Sequence, residues 1–345
     1  MTSAKILIIG AGAMGVVVGD ILQSSGAAIT YLVRPARRET LSRPQVLYSY
    51  DDDTLHWFTG YQLITCPEEI ERNAYDFVVF TIDGIALRSP DGQKLVRVVG
   101  GASRGTKTNV LIGTIGANLR PEFLRTSGLS GTQVFSGGLY IAVYQTDRVT
   151  LPVHPPTDPR LLAQADFAYR QHTPIGLFID SSAPEAATRF AALFQASGRS
   201  QCLILSPQEY STQVPAAFAT FAACNIVGWK SWAELDADSE LWQLTAAAAR
   251  EIQGLSINGE AGTRAQAATT PQSVIATLRK MEEDSRPLDF LAFNRFHHGG
   301  KVFEQDVELL RDCVRLGEAE QLPMSSLREL IRLAEAAGPP GMARG

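Results

Sequence analysis

The apolar run Ile6-Leu7-Ile8-Ile9 stops at Gly10, and the chain continues Gly10-Ala11-Gly12-Ala13-Met14-Gly15. No other feature restricts the fold as tightly. The β-branched run reads as a buried strand. A helical pattern follows from Met14 to about Ser24 and stops at Gly26. A second run, Ile29-Thr30-Tyr31-Leu32-Val33, then ends in Arg34. Strand, glycine turn, helix and strand in this order form the opening unit of a dinucleotide-binding sheet. In that unit Gly10 permits the tight turn, Gly12 lets the backbone approach a pyrophosphate, and Gly15 lets the helix lie close to the strand. The helix N-terminus offers free N–H groups and a positive dipole end to phosphates. Gly10, Ala11, Gly12, Ala13, Met14 and Gly15 are therefore the expected cofactor-binding stretch.

The end of the second strand bears on which dinucleotide. An NAD site places Asp or Glu there for the ribose 2′-hydroxyl. This chain places Arg34, with Arg37 and Arg38 close behind. A guanidinium grips a 2′-phosphate bidentately, whereas an acid would repel it. NADP(H) is the expected cofactor, and FAD is less consistent with this arginine.

Past this unit, residues 46–50 and 55–58 alternate around Asp51-Asp52-Asp53, a hairpin with a solvated acidic turn. Strands are expected at 77–82, 110–112, 134–149, 177–179 and 202–205. A Pro-rich loop spans 151–159, and a helix spans 184–196. After Ser206 the pattern turns to Ala-rich amphipathic helices, expected at 214–233, 240–253, 271–283, 288–296, 303–320 and 325–337. The expected architecture is an α/β Rossmann-type N-terminal domain, residues 1–205, and an all-α C-terminal domain, residues 206–345. A chain of 345 residues has the length for both.

Composition excludes other classes. The net charge is -5 with no basic tract, so nucleic acid is not an expected partner. No apolar run reaches the ~18 residues a membrane span needs, and the N-terminal apolar run is too short for a signal-peptide core. Cys66, Cys202, Cys224 and Cys313 are scattered, as reduced thiols of a cytoplasmic protein would be, and no metal site is expected. Only six lysines occur, at 5, 94, 107, 230, 280 and 301.

These motifs resemble the ketopantoate reductase (2-dehydropantoate 2-reductase) family. The resemblance rests on the stretch from Lys5 to Gly15, on Leu32-Val33-Arg34, and on Asp76-Phe77-Val78-Val79-Phe80-Thr81. Gly300-Lys301-Val302-Phe303-Glu304-Gln305-Asp306 is similar to the family's G-R-P-T-E-I-D segment, and Gln321-Leu322-Pro323 follows at nearly the family spacing. The resemblance implies hydride transfer from NADPH to a 2-keto acid in a cleft between two domains, with a helix lysine as general acid. It also suggests a homodimer through the helical domain. Thr81 and Gly116, beyond the next strands, complete the expected cofactor-binding set.

The departures fall on the chemistry. The family's Thr-x-Lys becomes Thr81-Ile82-Asp83, and its Asn-Gly becomes Ile115-Gly116. Its helix W-x-K-L-x-x-N-x-x-x-N aligns with Gln213, Ala217 and Phe221 at the lysine and the two asparagines, and no lysine occurs between Lys107 and Lys230. Ketone reduction needs a proton for the nascent alkoxide. Glu304 is the first candidate because it matches the motif; Lys280 and Asn225 follow. His297-His298 read as loop residues, with a proton shuttle as the functional alternative. Asp83 reads as a helix cap or a contact to a cationic substrate group. Gly101-Ala102-Ser103-Arg104-Gly105 imitates a hydrolase motif without its strand and elbow. Trp229, Trp232 and Trp242 read as packing. Three functions stay open: a reductase of a carbonyl or imine substrate, larger and less anionic, other than, or in addition to, ketopantoate; a cofactor-binding protein without catalysis; and a true ketopantoate reductase.

Overall fold

The computed structural model describes residues 3–72 and 74–340 of the chain. Contacts divide it into two compact units, one ending at Leu205 and one beginning at Ser206.

The first unit is built on an eight-stranded sheet. Its strands are β1 (Lys5–Ile9), β2 (Ala28–Leu32), β5 (Gln62–Ile64), β6 (Phe77–Phe80), β7 (Asn109–Ile112), β8 (Val134–Leu139), β11 (Ile175–Asp180) and β12 (Gln201–Leu205). Their order is β12-β11-β8-β7-β6-β1-β2-β5, and from β5 to β8 all neighbours are parallel. Parallel strands covered on both faces need apolar residues at consecutive positions, as the four buried residues of β6 and of β7 provide. Alternate side chains feed opposite cores. Ile6, Ile8, Val79 and Leu111 join one core with helix α1 (Ala13–Ser24) and helix Pro184–Gln195. Leu7, Ile9, Val78 and Ile112 join the other with helices Pro90–Ser103 and Leu119–Ser127.

The remaining strands, β3 (Gln45–Ser49), β4 (Thr54–Phe58), β9 (Ala142–Gln145) and β10 (Phe167–Arg170), form a second sheet ordered β4-β3-β10-β9. The expected hairpin is β3 and β4. The single strand expected over 134–149 is instead two strands in two sheets, with Tyr140 donating to Gly176 at the break. The second sheet is tied to α1 by buried Asp20. Its Oδ2 lies 2.8 Å from His56 Nε2 and accepts from Arg199 Nη1 at 2.6 Å.

The second unit is helical, as its composition requires. The first long helix runs Pro207–Ile226 rather than 214–233. Ser206 caps it, Glu209 returns the capping bond, and Pro207 occupies the first turn, where no N–H is needed. Pro215 lies inside the helix instead of starting it. Gly228 and Trp229, both with positive φ, turn the chain away after Ile226. Helices Glu240–Gln253, Pro271–Ser285, Phe290–Phe296, Phe303–Ala319 and Ser325–Ala337 follow the expected pattern, and Gly259–Ala268 adds one that its glycines concealed. Among the described residues no helix is long and apolar enough to cross a membrane.

Candidate functional site

The order in which strands are added reverses across the large sheet at β1. The chain goes from β1 to β2 on one side, and later returns to place β6 on the other. Ligands in such sheets bind beyond the carboxyl ends of the strands at this switch point. Gly10, Arg34, Thr81 and Gly116 all lie beyond the carboxyl ends of parallel strands: β1, β2, β6 and β7.

The glycine turn has the geometry of a phosphate cradle. Gly10 takes φ +101°, a conformation that side chains disfavour. A Cβ on Gly15 would stand 2.2 Å from the Gly10 carbonyl oxygen and 2.8 Å from Thr81 Oγ1. The Thr81 hydroxyl donates within reach of Gly10 O, at 2.9 Å, and Ile9 O, at 3.0 Å, so it ties β6 to the turn. A Cβ on Gly12, by contrast, would meet nothing within 4 Å. Gly12 caps α1 without a side-chain hydrogen bond to the first amides, which a ligand could therefore take. Ala11 and Ala13 are buried in the adjacent core, and Met14 packs against it.

Arg34 is exposed beside the end of β2, and no ion-pair partner for it occurs among the described residues. Its neighbour Val33 donates to Ile64 O at 3.0 Å, which fixes the backbone there against β5. The residues present therefore suit a dinucleotide: open amides for the pyrophosphate and a free guanidinium at the ribose position. Gly116 sits farther along the edge, against Leu119, in the loop where Thr114 Oγ1 donates to Ile82 O at 2.5 Å. Gly10, Gly15 and Thr81 are thus brought together, whereas Gly116 has Leu119 as its nearest neighbour.

Asp83 caps helix Gly84–Arg88 by accepting from Ala86 N at 2.7 Å. Ser103 is the last residue of a helix and is buried, so no nucleophile elbow exists there. The acidic turn is engaged locally: Asp51 with Arg170, Asp52 with Thr54, and Asp53 with Tyr48 and the Asp158 amide.

The catalytic candidates lie apart in the helical unit. Glu304 is exposed in the first turn of helix Phe303–Ala319. Lys280 is exposed and paired with Asp284, one turn along its own helix. Asn225, the third catalytic candidate, is instead a satisfied core amide. This residue is buried, its amide nitrogen donates to Gly338 O at 2.8 Å, and its oxygen accepts from Trp229 Nε1 at 3.2 Å. Both ends of the amide hold the fold. Among the described residues no hydrogen bond or ion pair joins Glu304, Lys280 and Asn225.

The loop expected at His297-His298 is also corrected: residues His297–Lys301 form a wide helical turn. Gly299 is needed there, because a Cβ would come 2.5 Å from Trp229 Nε1. His298 Nδ1 lies 2.7 Å from Asp306 Oδ2, and its ring stacks on Phe221 at 3.9 Å between centroids. Burial disfavours charge on both groups, holding the Asp306 carboxyl well above the usual range and the His298 imidazole down to about 3. A His eight residues ahead of an Asp gives little signal by itself.

No protein-family model matches the chain, and no curated protein sequence matches it. Solved structures do match its fold. A protein described as a ketopantoate reductase from Ralstonia solanacearum MolK2 superposes with a TM-score of 0.68 at 15% identity, covering 97% of this chain and 98% of that one. D-mandelate dehydrogenase with NADH and anilino(oxo)acetate superposes with a TM-score of 0.65 at 14% identity, covering 96% and 98%. The 2-dehydropantoate 2-reductase from Geobacter metallireducens GS-15 gives 0.62 at 16% identity, covering 96% and 99%. The shared architecture is a Rossmann-type α/β sheet followed by a helical region.

Proposed function

We propose that this chain is an NADPH-dependent oxidoreductase that reduces a carbonyl or imine substrate other than, or in addition to, ketopantoate. One observation carries the reading: an open glycine turn at the sheet's switch point, with the unpaired Arg34 beyond the neighbouring strand. Solved dehydrogenases and reductases of the same fold support it.

When bound, NADPH supplies the hydride. The amides after Gly12 would hold the pyrophosphate, because a helix N-terminus favours anions and no side-chain hydrogen bond caps this one. Arg34 would take the 2′-phosphate. Thr81 acts indirectly, fixing the turn through Gly10 O.

A second reading, cofactor binding without catalysis, is favoured by the helix Pro207–Ile226, which carries no lysine. The two readings separate by experiment. NADPH and NADH are titrated by fluorescence against the wild type and Arg34→Ala. Loss of a charge-assisted phosphate contact should weaken NADPH by about 2 kcal/mol, roughly 30-fold, with NADH nearly unchanged. Equal losses would remove the 2′-phosphate assignment. Cofactor oxidation is then followed with a panel of 2-keto acids, ketopantoate, aryl ketones and cyclic imines. NADPH binding with no turnover of any would favour the non-catalytic reading, and efficient turnover of ketopantoate alone would make this a ketopantoate reductase.

A further inference from the structure

The oxidoreductase reading leaves open what lies against the substrate, and the first unit carries an apolar strip at the sheet edge where that is decided. With the pyrophosphate on the Gly10 turn and the 2′-phosphate at Arg34 beyond β2, the nicotinamide end runs the other way, past β6 and β7 toward β8. β7 and β8 stand two and three strands from β1, roughly 10 and 14 Å at the ordinary strand spacing. Ile82 follows the end of β6, and Tyr140 follows the end of β8. Ile115 lies in the loop after β7, and β11, antiparallel to β8, sets Phe178 beside Gly138. All four side chains are half-buried.

Contacts within this unit join the strip to the glycine turn. A Cβ on Gly10 would stand 3.1 Å from Ile82 Cγ2. Thr114 Oγ1 donates to Ile82 O at 2.5 Å and so ties the loop after β7 to the end of β6. The point that a Cβ on Gly138 would take lies 3.5 Å from both Ile115 Cδ1 and Phe178 Cε2. The Phe178 ring meets Tyr140 at 5.1 Å between centroids, tilted by 44°, and Tyr140 meets His172 at 4.5 Å. The charged groups nearby are a poor grip for an anion. Asp83, next to Ile82, is acidic and caps its helix through Ala86 N. Arg88 is paired with Glu122 at 2.9 Å and donates to Ala117 O at 3.2 Å, and Arg170 is paired with Asp51. A carboxylate laid against Ile115 and Phe178 would lose hydration with no donor in return, whereas a hydrocarbon group gains by leaving water.

We propose that Ile82, Ile115, Phe178 and Tyr140 form the wall against which the non-reacting group of the substrate lies, and that this group is an uncharged aryl ring. The proposal deepens the oxidoreductase reading and rests on it. The substrate class is an aryl ketone or an aryl 2-oxo ester, and small free 2-keto acids are poor substrates. Phe178 and Tyr140 supply aromatic surface on which a third ring packs offset or edge-on, and Ile82 and Ile115 supply the aliphatic floor toward the nicotinamide. These residues set specificity; the hydride comes from the cofactor.

Two measurements on the full chain test this. In the first, ¹³C-methyl spectra of isoleucine-labelled protein are recorded as benzamide, an unreactive aryl amide, is added with and without NADP+, and Ile115→Val assigns the signal. A saturable ring-current shift of the Ile115 methyl is expected. An Ile115 methyl that ignores benzamide in both states would overturn the wall without reference to activity. In the second, NADPH oxidation is followed with ethyl benzoylformate, ethyl pyruvate and the two free acids. The aryl ester should exceed both ethyl pyruvate and benzoylformate in kcat/KM by at least about tenfold. Phe178→Ala should narrow the aryl-to-methyl ratio, and Ile115→Asn should narrow the ester-to-acid ratio, each at least about fivefold; ratios within one protein cancel any loss of folded material. Pyruvate or ketopantoate turned over as well as the aryl ester, or ratios unmoved in both variants, would sink the proposal and leave the oxidoreductase reading standing. Failure of the wild type to bind NADPH, or binding without turnover of any substrate, would defeat that reading, and the methyl response would then decide by itself whether the strip takes an aryl group.

Discussion

Gly12 and Gly15 look alike in the sequence, yet a methyl group at each meets different surroundings. At Gly15 it would collide with the Gly10 carbonyl, which is backbone and cannot step aside. Gly15→Ala should therefore destabilise the fold itself, by about 1–3 kcal/mol as overpacking does, and lower Tm accordingly. At Gly12 the methyl has free space, with φ at −77°. Gly12→Ala should melt at nearly the wild-type temperature but lose at least tenfold in NADPH affinity, because the added group stands where a pyrophosphate would approach. Thermal melts and cofactor titrations of both variants check the pair. Unchanged NADPH binding by Gly12→Ala would place the phosphates elsewhere. The place of Arg34 just after β2, exposed, was legible because position after a strand is a local matter. For Asn225 a satisfied amide was legible, but not its partners Gly338 and Trp229, which are set by tertiary packing.

Helix α1 lies on β2 by a contact no motif announces. Tyr31 on β2 donates to Gly15 O at 2.9 Å, and a Cβ on Gly19 would stand 1.9 Å from its hydroxyl oxygen. Gly19→Ala should force Tyr31 aside and break that bond, at a cost of about 1–3 kcal/mol. Removing the hydroxyl makes room. Gly19→Ala combined with Tyr31→Phe should thus cost less than the two single changes added, with a coupling of roughly 1 kcal/mol in denaturant titrations. Strict additivity would mean that the helix shifts instead of the tyrosine. At this scale β1, α1 and β2 were readable because strand, turn and helix follow within one stretch. β10 was not: it pairs Phe167 with Leu47 and Ala168 with Tyr48, partners far away in the chain. The start of helix Pro207–Ile226 was misread because Pro215 mimics a first-turn proline, while the true start rests on the Ser206–Glu209 capping box.

In the whole molecule, both apolar cores of the first unit are drawn from residues of that unit, the last being Cys202. A fragment of residues 1–205 should therefore unfold cooperatively and bind NADPH within about tenfold of the full chain. Non-cooperative melting, or loss of NADPH binding in a folded fragment, would show that the cofactor site needs the helical unit.

The sequence by itself determined the parallel sheet, the glycine turn with its adjacent arginine, and the passage from mixed α/β to helix. Periodicity and glycine spacing are short-range signals, and burial imposes them on any chain of this pattern. Tertiary structure alone decided that the sheet is accompanied by a second one, that Asn225 serves the interior, and that His298 meets Asp306 over the face of Phe221. Those outcomes depend on which distant groups share a desolvated space, a property that residue order does not carry.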